Sequence, residues 1–253
     1  MTRLVTLITG ASAGLGAEFA RVCARRGESL ALVARRRDRL EALQQTLGGD
    51  VHILEADLSR PGAGASLVEQ LGAEGLEVAT LINNAGFGLS GRFEAQDWAR
   101  QAEMIDLNVR ALTELCRAVL PAMRARGSGA ILNVASTAAF QPGPNMAVYY
   151  ATKAYVLSLT EALYEELKGS GIRVTALCPG PTDTEFFDVA EVRGGPLRRM
   201  AGDAASVVRD GLAGLDRGKA VVIPGARNKV GAQVHRFLPR AAMRRIIARL
   251  KAD

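Results

Sequence analysis

Residues 4–16 read Leu4-Val5-Thr6-Leu7-Ile8-Thr9-Gly10-Ala11-Ser12-Ala13-Gly14-Leu15-Gly16, and a helical pattern follows over 15–26. A short, continuously aliphatic run is the mark of a strand buried on both faces. The glycines after it let the backbone turn sharply. They also let a pyrophosphate approach the start of the next helix, where free N–H groups and the helix dipole favour an anion. The spacing is G-x-x-x-G-x-G, not G-x-G-x-x-G, because Phe19 stands where a further glycine would fall. No Gly-Lys-Ser/Thr follows, so it is not a P-loop. A strand before the turn and a helix after it point to a dinucleotide site; a plain strand–helix turn is the alternative.

Outward from this turn the same alternation repeats. Aliphatic runs near 29–34, 50–55, 78–82, 129–135, 172–177 and 219–223 read as strands. Between them, helical patterns lie near 36–47, 61–72, 96–125, 147–169 and 203–216. Repeated β-α-β units imply an α/β fold, a doubly wound parallel sheet of about seven strands with helices on both faces. Residues 1–225 read as one dinucleotide-binding and catalytic domain, and 226–253 as a basic tail. The stretch 179–202 is rich in Gly, Pro and charge, and its part near 183–202 is expected to be a substrate loop.

Composition excludes several classes. The chain has 253 residues, 48% hydrophobic and 23% charged, which rules out a disordered, collagen-like or disulfide-scaffold protein. No apolar run reaches the roughly 18 residues that span a bilayer, and the N-terminus does not resemble a secretory signal. Cys23, Cys116 and Cys178 are odd in number and widely spaced, so they read as buried thiols in a reducing, cytoplasmic compartment. His52 and His235 have no partner at ligand spacing, and no metal is expected. The net charge is +6, but residues 193–253 hold 14 Lys/Arg against 4 Asp/Glu. A uniformly basic nucleic-acid binder would not look like this, and no nucleic acid is expected as partner.

The second expected strand ends in Ala34-Arg35-Arg36-Arg37. A site for NAD usually places an acid here to hold the ribose 2′-OH. Arginine instead suits a 2′-phosphate, which it grips with charge-assisted hydrogen bonds. Arg35 and Arg36 therefore point to NADP(H); a solvated helix start is the bland alternative.

The chemistry-bearing residues lie further on. Tyr149 and Lys153, at i and i+4, share one helix face. A tyrosine hydroxyl is a poor base at neutral pH, and a nearby ammonium is expected to lower its pKa. Ser136 follows the expected strand 129–135, at the carboxyl end where open α/β sheets place their active groups. Its hydroxyl could hold a substrate oxygen while Tyr149 moves the proton.

As an ordered set, Thr9-Gly10-x-x-x-Gly14-x-Gly16, Asp57-Leu58, Asn83-Asn84-Ala85-Gly86, Asn108, Ser136, Tyr149-x-x-x-Lys153 and Pro179-Gly180 resemble the short-chain dehydrogenase/reductase family over 1–225. The resemblance implies a Rossmann-type fold and a carbonyl–alcohol oxidoreductase with Asn108, Ser136, Tyr149 and Lys153 as its catalytic residues. Tyr149 would be the acid/base, Ser136 would orient the carbonyl, and Lys153 would hold the nicotinamide ribose. Asn108 would interrupt its helix and position a water. The implied cofactor contacts are Gly10, Ser12, Gly14, Leu15, Gly16, Arg35, Arg36, Asp57, Leu58, Asn84, Ala85, Gly86, Tyr149, Lys153, Pro179, Gly180, Thr182 and Thr184, with Asp57 at the adenine. Asp57 as a local cap and Asn83-Asn84 as a strand-end turn stay open.

Phe87, Leu89, Phe93, Phe140, Met146, Phe186 and Phe187 fall in segments expected near the nicotinamide, which suggests an apolar or acyl-type carbonyl or alcohol substrate. The family commonly pairs the helices 96–125 and 147–169 across a dyad, so a homodimer or homotetramer is expected. In the tail, Met243, Ile246, Ile247 and Leu250 form an amphipathic stripe flanked by arginines. It either folds back on the protein or, through 237–253, makes a peripheral membrane contact; a tail-driven membrane or nucleic-acid binder is the alternative function.

Overall fold

The computed structural model describes residues 2–186, 190, 201–234, 237 and 239–250. Strands β1 (Arg3–Thr9), β2 (Leu30–Ala34), β3 (Val51–Glu55), β4 (Leu76–Asn83), β5 (Gly129–Val134), β6 (Ile172–Leu177) and β7 (Val221–Val222) form one sheet. Every pairing is parallel, in the order β3-β2-β1-β4-β5-β6-β7. The chain runs outward from β1 to β3, then crosses back to place β4 on the other side of β1. This reversal opens a crevice at the carboxyl ends of β1 and β4, where such sheets bind their ligands.

Both faces of the sheet are covered, which is why its strands read as unbroken apolar runs. Helices α1 (Gly14–Arg25), α2 (Arg37–Leu47) and the helix Ala204–Asp216 lie on one face. There Ile8, Phe19, Leu32, Ile82, Leu132 and Leu212 share a core. Phe19 is wholly buried in it. An apolar anchor thus occupies the position where a glycine would only have allowed closer packing. Helices α3 (Ala63–Ala73), α5 (Leu112–Arg126) and α6 (Ala147–Glu166) cover the other face over Leu7, Leu81, Leu115, Ile131 and Val156. The neighbours Leu7 and Ile8 fall in opposite cores, as alternate residues of a strand must.

The expected long helix 96–125 is a composite. Helix α4 (Trp98–Ile105) passes through a π-helical segment, Asp106–Ala111, into α5. The interruption expected at Asn108 is therefore a local widening of the helix, not a break. Helix Ala226–Gln233 was not read from the sequence; Ala232 is its one buried residue, too little to produce a periodic pattern. In the helix Arg240–Leu250, Met243 and Ile247 are buried while Ile246 and Phe237 are exposed. Half of the stripe therefore turns onto the protein. The Leu250 side chain, His235, Leu238 and Lys251 lie outside the described residues. No helix among the described residues is long and apolar enough to cross a membrane. The three cysteines are buried, and burial pushes each thiol pKa up, for Cys116 and Cys178 to about 12.

Candidate active site

The crevice is built by locking the glycine turn to the end of β4. The backbone N–H groups of Asn84 and Ala85 both donate to Thr9 Oγ1 at 3.0 Å. Asn84 Nδ2 donates to the carbonyls of Thr9 at 3.0 Å and Gly10 at 3.3 Å. Gly10 has φ +64°, and a Cβ there would lie 2.9 Å from Ala85 Cα. A Cβ on Gly16 would fall 2.1 Å from the Gly10 carbonyl oxygen. Neither position has room for a side chain. No side chain caps the start of α1, and its first turn holds no acid. Its N–H groups and dipole are therefore left for an anion.

A cavity of about 480 Å³ runs from this turn across the strand ends. It is lined by Gly10, Ser12, Gly14, Leu15, Arg35, Arg36, Asp57, Leu58, Asn84, Ala85, Gly86, Ser136, Tyr149, Lys153, Pro179, Gly180, Thr182 and Thr184. Of the expected catalytic and cofactor residues, Gly16 and Asn108 stand behind the wall; of the expected substrate-side residues, Leu89, Phe93 and Phe140 do not line the cavity, Phe93 being exposed and Phe140 packed on the sheet core. An uncapped helix start and a glycine cradle fit the pyrophosphate of a dinucleotide, and Arg35 and Arg36 lie at the same end. Phe187 lies outside the described residues.

At the other end, Tyr149 lies in the first turn of α6 and Ser136 follows β5. Tyr149 is buried beside Phe87, Met104, Ala138 and Met146. Its ring lies 5.3 Å from that of Phe186, centroid to centroid. Burial pushes its pKa well up, and a hydrogen bond with the Ser136 side chain only partly opposes this. This corrects the expectation that Lys153 lowers it. The ammonium lies 5.9 Å from the ring centroid, and the apolar enclosure outweighs it. This enclosure favours the protonated phenol.

Lys153 Nζ donates to the Val134 carbonyl at 2.8 Å, and burial brings its pKa down to about 8. One of its three N–H groups is engaged there. Asn108 sits in the π-helical turn, wholly enclosed. Its Oδ1 accepts from Phe87 N at 3.1 Å, and its Nδ2 donates to Phe87 O at 2.9 Å and Thr152 Oγ1 at 3.1 Å. A Cβ on Gly86 would lie 2.8 Å from Asn108 Oδ1 and 3.6 Å from Lys153 Nζ. Gly86, Asn108 and Lys153 are therefore brought together, and Asn108 clamps the chain just past Gly86 to helix α6.

The arginine end is different. Arg36 Nη2 donates to Ser12 Oγ at 3.1 Å and to Glu185 Oε2 at 3.1 Å, while Arg39 Nη1 pairs with Glu185 Oε1. Arg35 Nη1 pairs with Glu103 at 2.8 Å, and Glu103 also holds Arg100. Of the two arginines expected to act together, only Arg36 is tied to the glycine turn. Asp57 lines the cavity, and its Oδ1 accepts from Ser59 N at 3.1 Å and Ser59 Oγ at 2.7 Å. These bonds hold its carboxyl below the usual range. The carboxylate shapes its own turn and still faces the cleft. Thr182 Oγ1 donates to the Gly180 carbonyl at 3.0 Å, and Thr184 packs over Gly14.

Arg39, Glu103, Thr152 and Glu185 were not read from the sequence. Arg39 follows Arg36 by three residues, a spacing that could have revealed it. Glu185 lies 146 residues from Arg39 and carries no local signal.

The family model for short chain dehydrogenases matches residues 4–192. An NADP-dependent 3-hydroxy acid dehydrogenase of Escherichia coli K12 is 36% identical over 191 residues, 74% of this chain and 76% of that protein. A short-chain dehydrogenase from Sphingobium yanoikuyae, solved in complex with NADPH, superposes with a TM-score of 0.83 at 38% identity, covering 97% of this chain and 95% of that one. The bulky-bulky ketone specific alcohol dehydrogenase from Comamonas testosteroni gives 0.78 at 34%, covering 94% and 93%. With its seven-stranded parallel sheet, its glycine crevice and this match over most of its length, the chain belongs to the short-chain dehydrogenase/reductase family of oxidoreductases.

Proposed function

We propose that the protein is an NADP(H)-dependent oxidoreductase that interconverts a carbonyl and a secondary alcohol on an apolar or acyl-type substrate. The observation that carries this reading is one cavity with a protonated tyrosine and a buried lysine at one end and the Arg36–Ser12 pair at the other. A nicotinamide bound there supplies or takes up the hydride. Tyr149 gives its proton to the substrate oxygen during reduction, and the Ser136 hydroxyl holds that oxygen in line. Lys153 orients the nicotinamide ribose with the N–H groups that Val134 leaves over, and returns a proton toward Tyr149. The Asn108 side chain is committed to Phe87 and Thr152, and from this fixed turn Asn108 positions a relay water. Arg36 and Ser12 receive the 2′-phosphate, and Asp57 faces the adenine.

Apolar walls at Phe87, Met146 and Phe186 support an apolar substrate. The relatives named above cover both a 3-hydroxy acid and bulky ketones, so chain length is the variable to scan. The test is oxidation of NADPH, with NADH in parallel, over short aldehydes, 3-ketoacyl thioesters and ketosteroids. Turnover with longer or bulkier carbonyls, and with NADPH over NADH, is expected. Turnover confined to short anionic aldehydes would overturn the substrate reading, and equal use of both cofactors the NADP reading.

Assembly as a homodimer or homotetramer is part of the proposal. The exposed Tyr155 of α6 and Ile105 of α4 support it, on the two helices the family pairs. Light scattering at micromolar concentration should give a mass above that of one 26.8 kDa chain.

A further inference from the structure

Glu185 follows β6, far in sequence from the arginines it meets. Its carboxylate is forked, with one oxygen 3.1 Å from Arg36 Nη2 and the other on Arg39 Nη1. The same Arg36 Nη2 donates to Ser12 Oγ at 3.1 Å. Arg36 and Arg39, three apart at the start of α2, share a face. Two guanidinium groups from the start of α2 therefore converge on one anion at the rim of the cofactor cavity, and one of them is also tied to the glycine turn through Ser12. A carboxylate that bridges two guanidinium groups makes the contacts a phosphate would make, with fewer oxygens and less charge.

We infer that Ser12, Arg36 and Arg39 form the cradle of the 2′-phosphate, and that Glu185 is a built-in competitor for it. Glu185 thereby determines how strongly the chain distinguishes phosphorylated from unphosphorylated cofactor. This rests on the NADP reading above. Two anions between the same guanidinium groups repel one another, so the phosphate enters only as the carboxylate leaves. Glu185 is charged at neutral pH, because its hydrogen bonds, first to Arg39 and then to Arg36, hold its carboxyl below the usual range. Arg36, Arg39 and Glu185 side chains are each about 44% exposed, so water screens the pairs and the competition is weak. A phosphate, with close to two charges at neutral pH, displaces it. Without a 2′-phosphate, NADH leaves Glu185 in place and gains nothing from these arginines.

The experiment is calorimetric titration of the full chain and its Glu185→Gln variant with two probes, 2′,5′-ADP and ADP. Gln keeps the size and removes the charge. The variant is expected to bind 2′,5′-ADP about threefold to tenfold more tightly, with ADP unchanged. Arg39→Ala in the native background should weaken 2′,5′-ADP alone. If Glu185→Gln leaves 2′,5′-ADP binding unchanged or weaker, or tightens both probes equally, while the native chain still prefers 2′,5′-ADP, the competitor role is overturned and the NADP reading stands. If the native chain binds the two probes alike, the NADP reading itself falls, and this inference with it.

Discussion

The two ends of the cavity are built by opposite rules. At the Tyr149 end, Tyr149, Lys153 and Asn108 are buried, with Lys153 bonded to Val134, Asn108 to Phe87 and Thr152, and Tyr149 to Ser136, and burial shifts the pKa values of the two ionisable groups. At the arginine end, Arg35, Arg36 and Arg39 are exposed and paired with carboxylates from distant elements. Proton transfer needs groups whose ionisation is set by enclosure and whose positions do not drift. Choice of cofactor needs charges that can exchange one anionic partner for another. Burial serves the first purpose and would obstruct the second, because a buried guanidinium stripped of its partner is costly.

The largest effect should come from the buried end. Tyr149→Phe removes the proton donor but keeps the ring, so turnover is expected to fall by about a thousandfold. NADPH affinity should change little, because the proposed role of the phenol hydroxyl is at the substrate oxygen. Stopped-flow and equilibrium titration separate the two, and a loss of binding as large as the loss of rate would erase the contrast between the ends. Arg36→Ala should do the reverse. NADPH should bind about tenfold to a hundredfold more weakly, with NADH nearly unaffected, as expected for the loss of a charge-assisted contact. Arg35→Ala should cost less, since Arg35 is held by Glu103 and not by the glycine turn. Equal losses in the two variants would return both arginines to the same role.

A pH series sharpens the comparison further. Lys153 keeps its charge below about 8 and loses it above. With reduced cofactor saturating, kcat/KM for carbonyl reduction should be level near pH 7 and fall about tenfold per unit above pH 8. Stability should move the other way. Between about 8 and the ordinary lysine value of 10.5, the unfolded chain holds a proton that the folded one has released. The contribution of Lys153 to stability therefore rises with pH across that window. Urea midpoints and kcat/KM measured on the same samples check both slopes; a decline that begins only near 10 would assign the limb to another group. The smallest effect is expected from Tyr150→Phe. Tyr150 also lines the cavity, at 6.0 Å and edge-on to Tyr149, but it lies one residue off the i, i+4 pairing with Lys153. A loss below about tenfold is expected; a loss matching that of Tyr149→Phe would mean that the proton donor is misassigned.

Much of this architecture is legible in the sequence, for physical reasons. Strands such as Leu30–Ala34 are buried along their whole length, so burial writes itself as unbroken aliphatic sequence. Tyr149 and Lys153 lie on one helix, so their relation is a matter of spacing. The rest depends on tertiary neighbours. The raised pKa of Tyr149 comes from Phe87, Met146 and other residues on separate segments, which no spacing rule encloses. The bridge from Glu185 to Arg36 and Arg39 joins the segment after β6 to the start of α2. Helix Ala226–Gln233 rests on a single buried alanine and leaves no periodic trace.

The tie between Asn84 and the glycine turn has a consequence for how the chain acquires its cleft. Asn84 reaches Gly10 across 74 positions, and β1 pairs with β4 as well as with β2. A chain emerging from the ribosome can lay β2 beside β1 early. It cannot set the turn until β4 has been made, and such distant pairings are slow to form. Once residue 86 is out, the four strands β3-β2-β1-β4 and the glycine-turn side of the crevice can be in place, while Ser136, Tyr149, Lys153 and the side lined by Pro179, Gly180, Thr182 and Thr184 have yet to follow. The order of synthesis therefore makes the glycine-turn side of the pocket before Ser136, Tyr149 and Lys153. A nucleotide that binds this first half stabilises it by mass action while the second half is still being added.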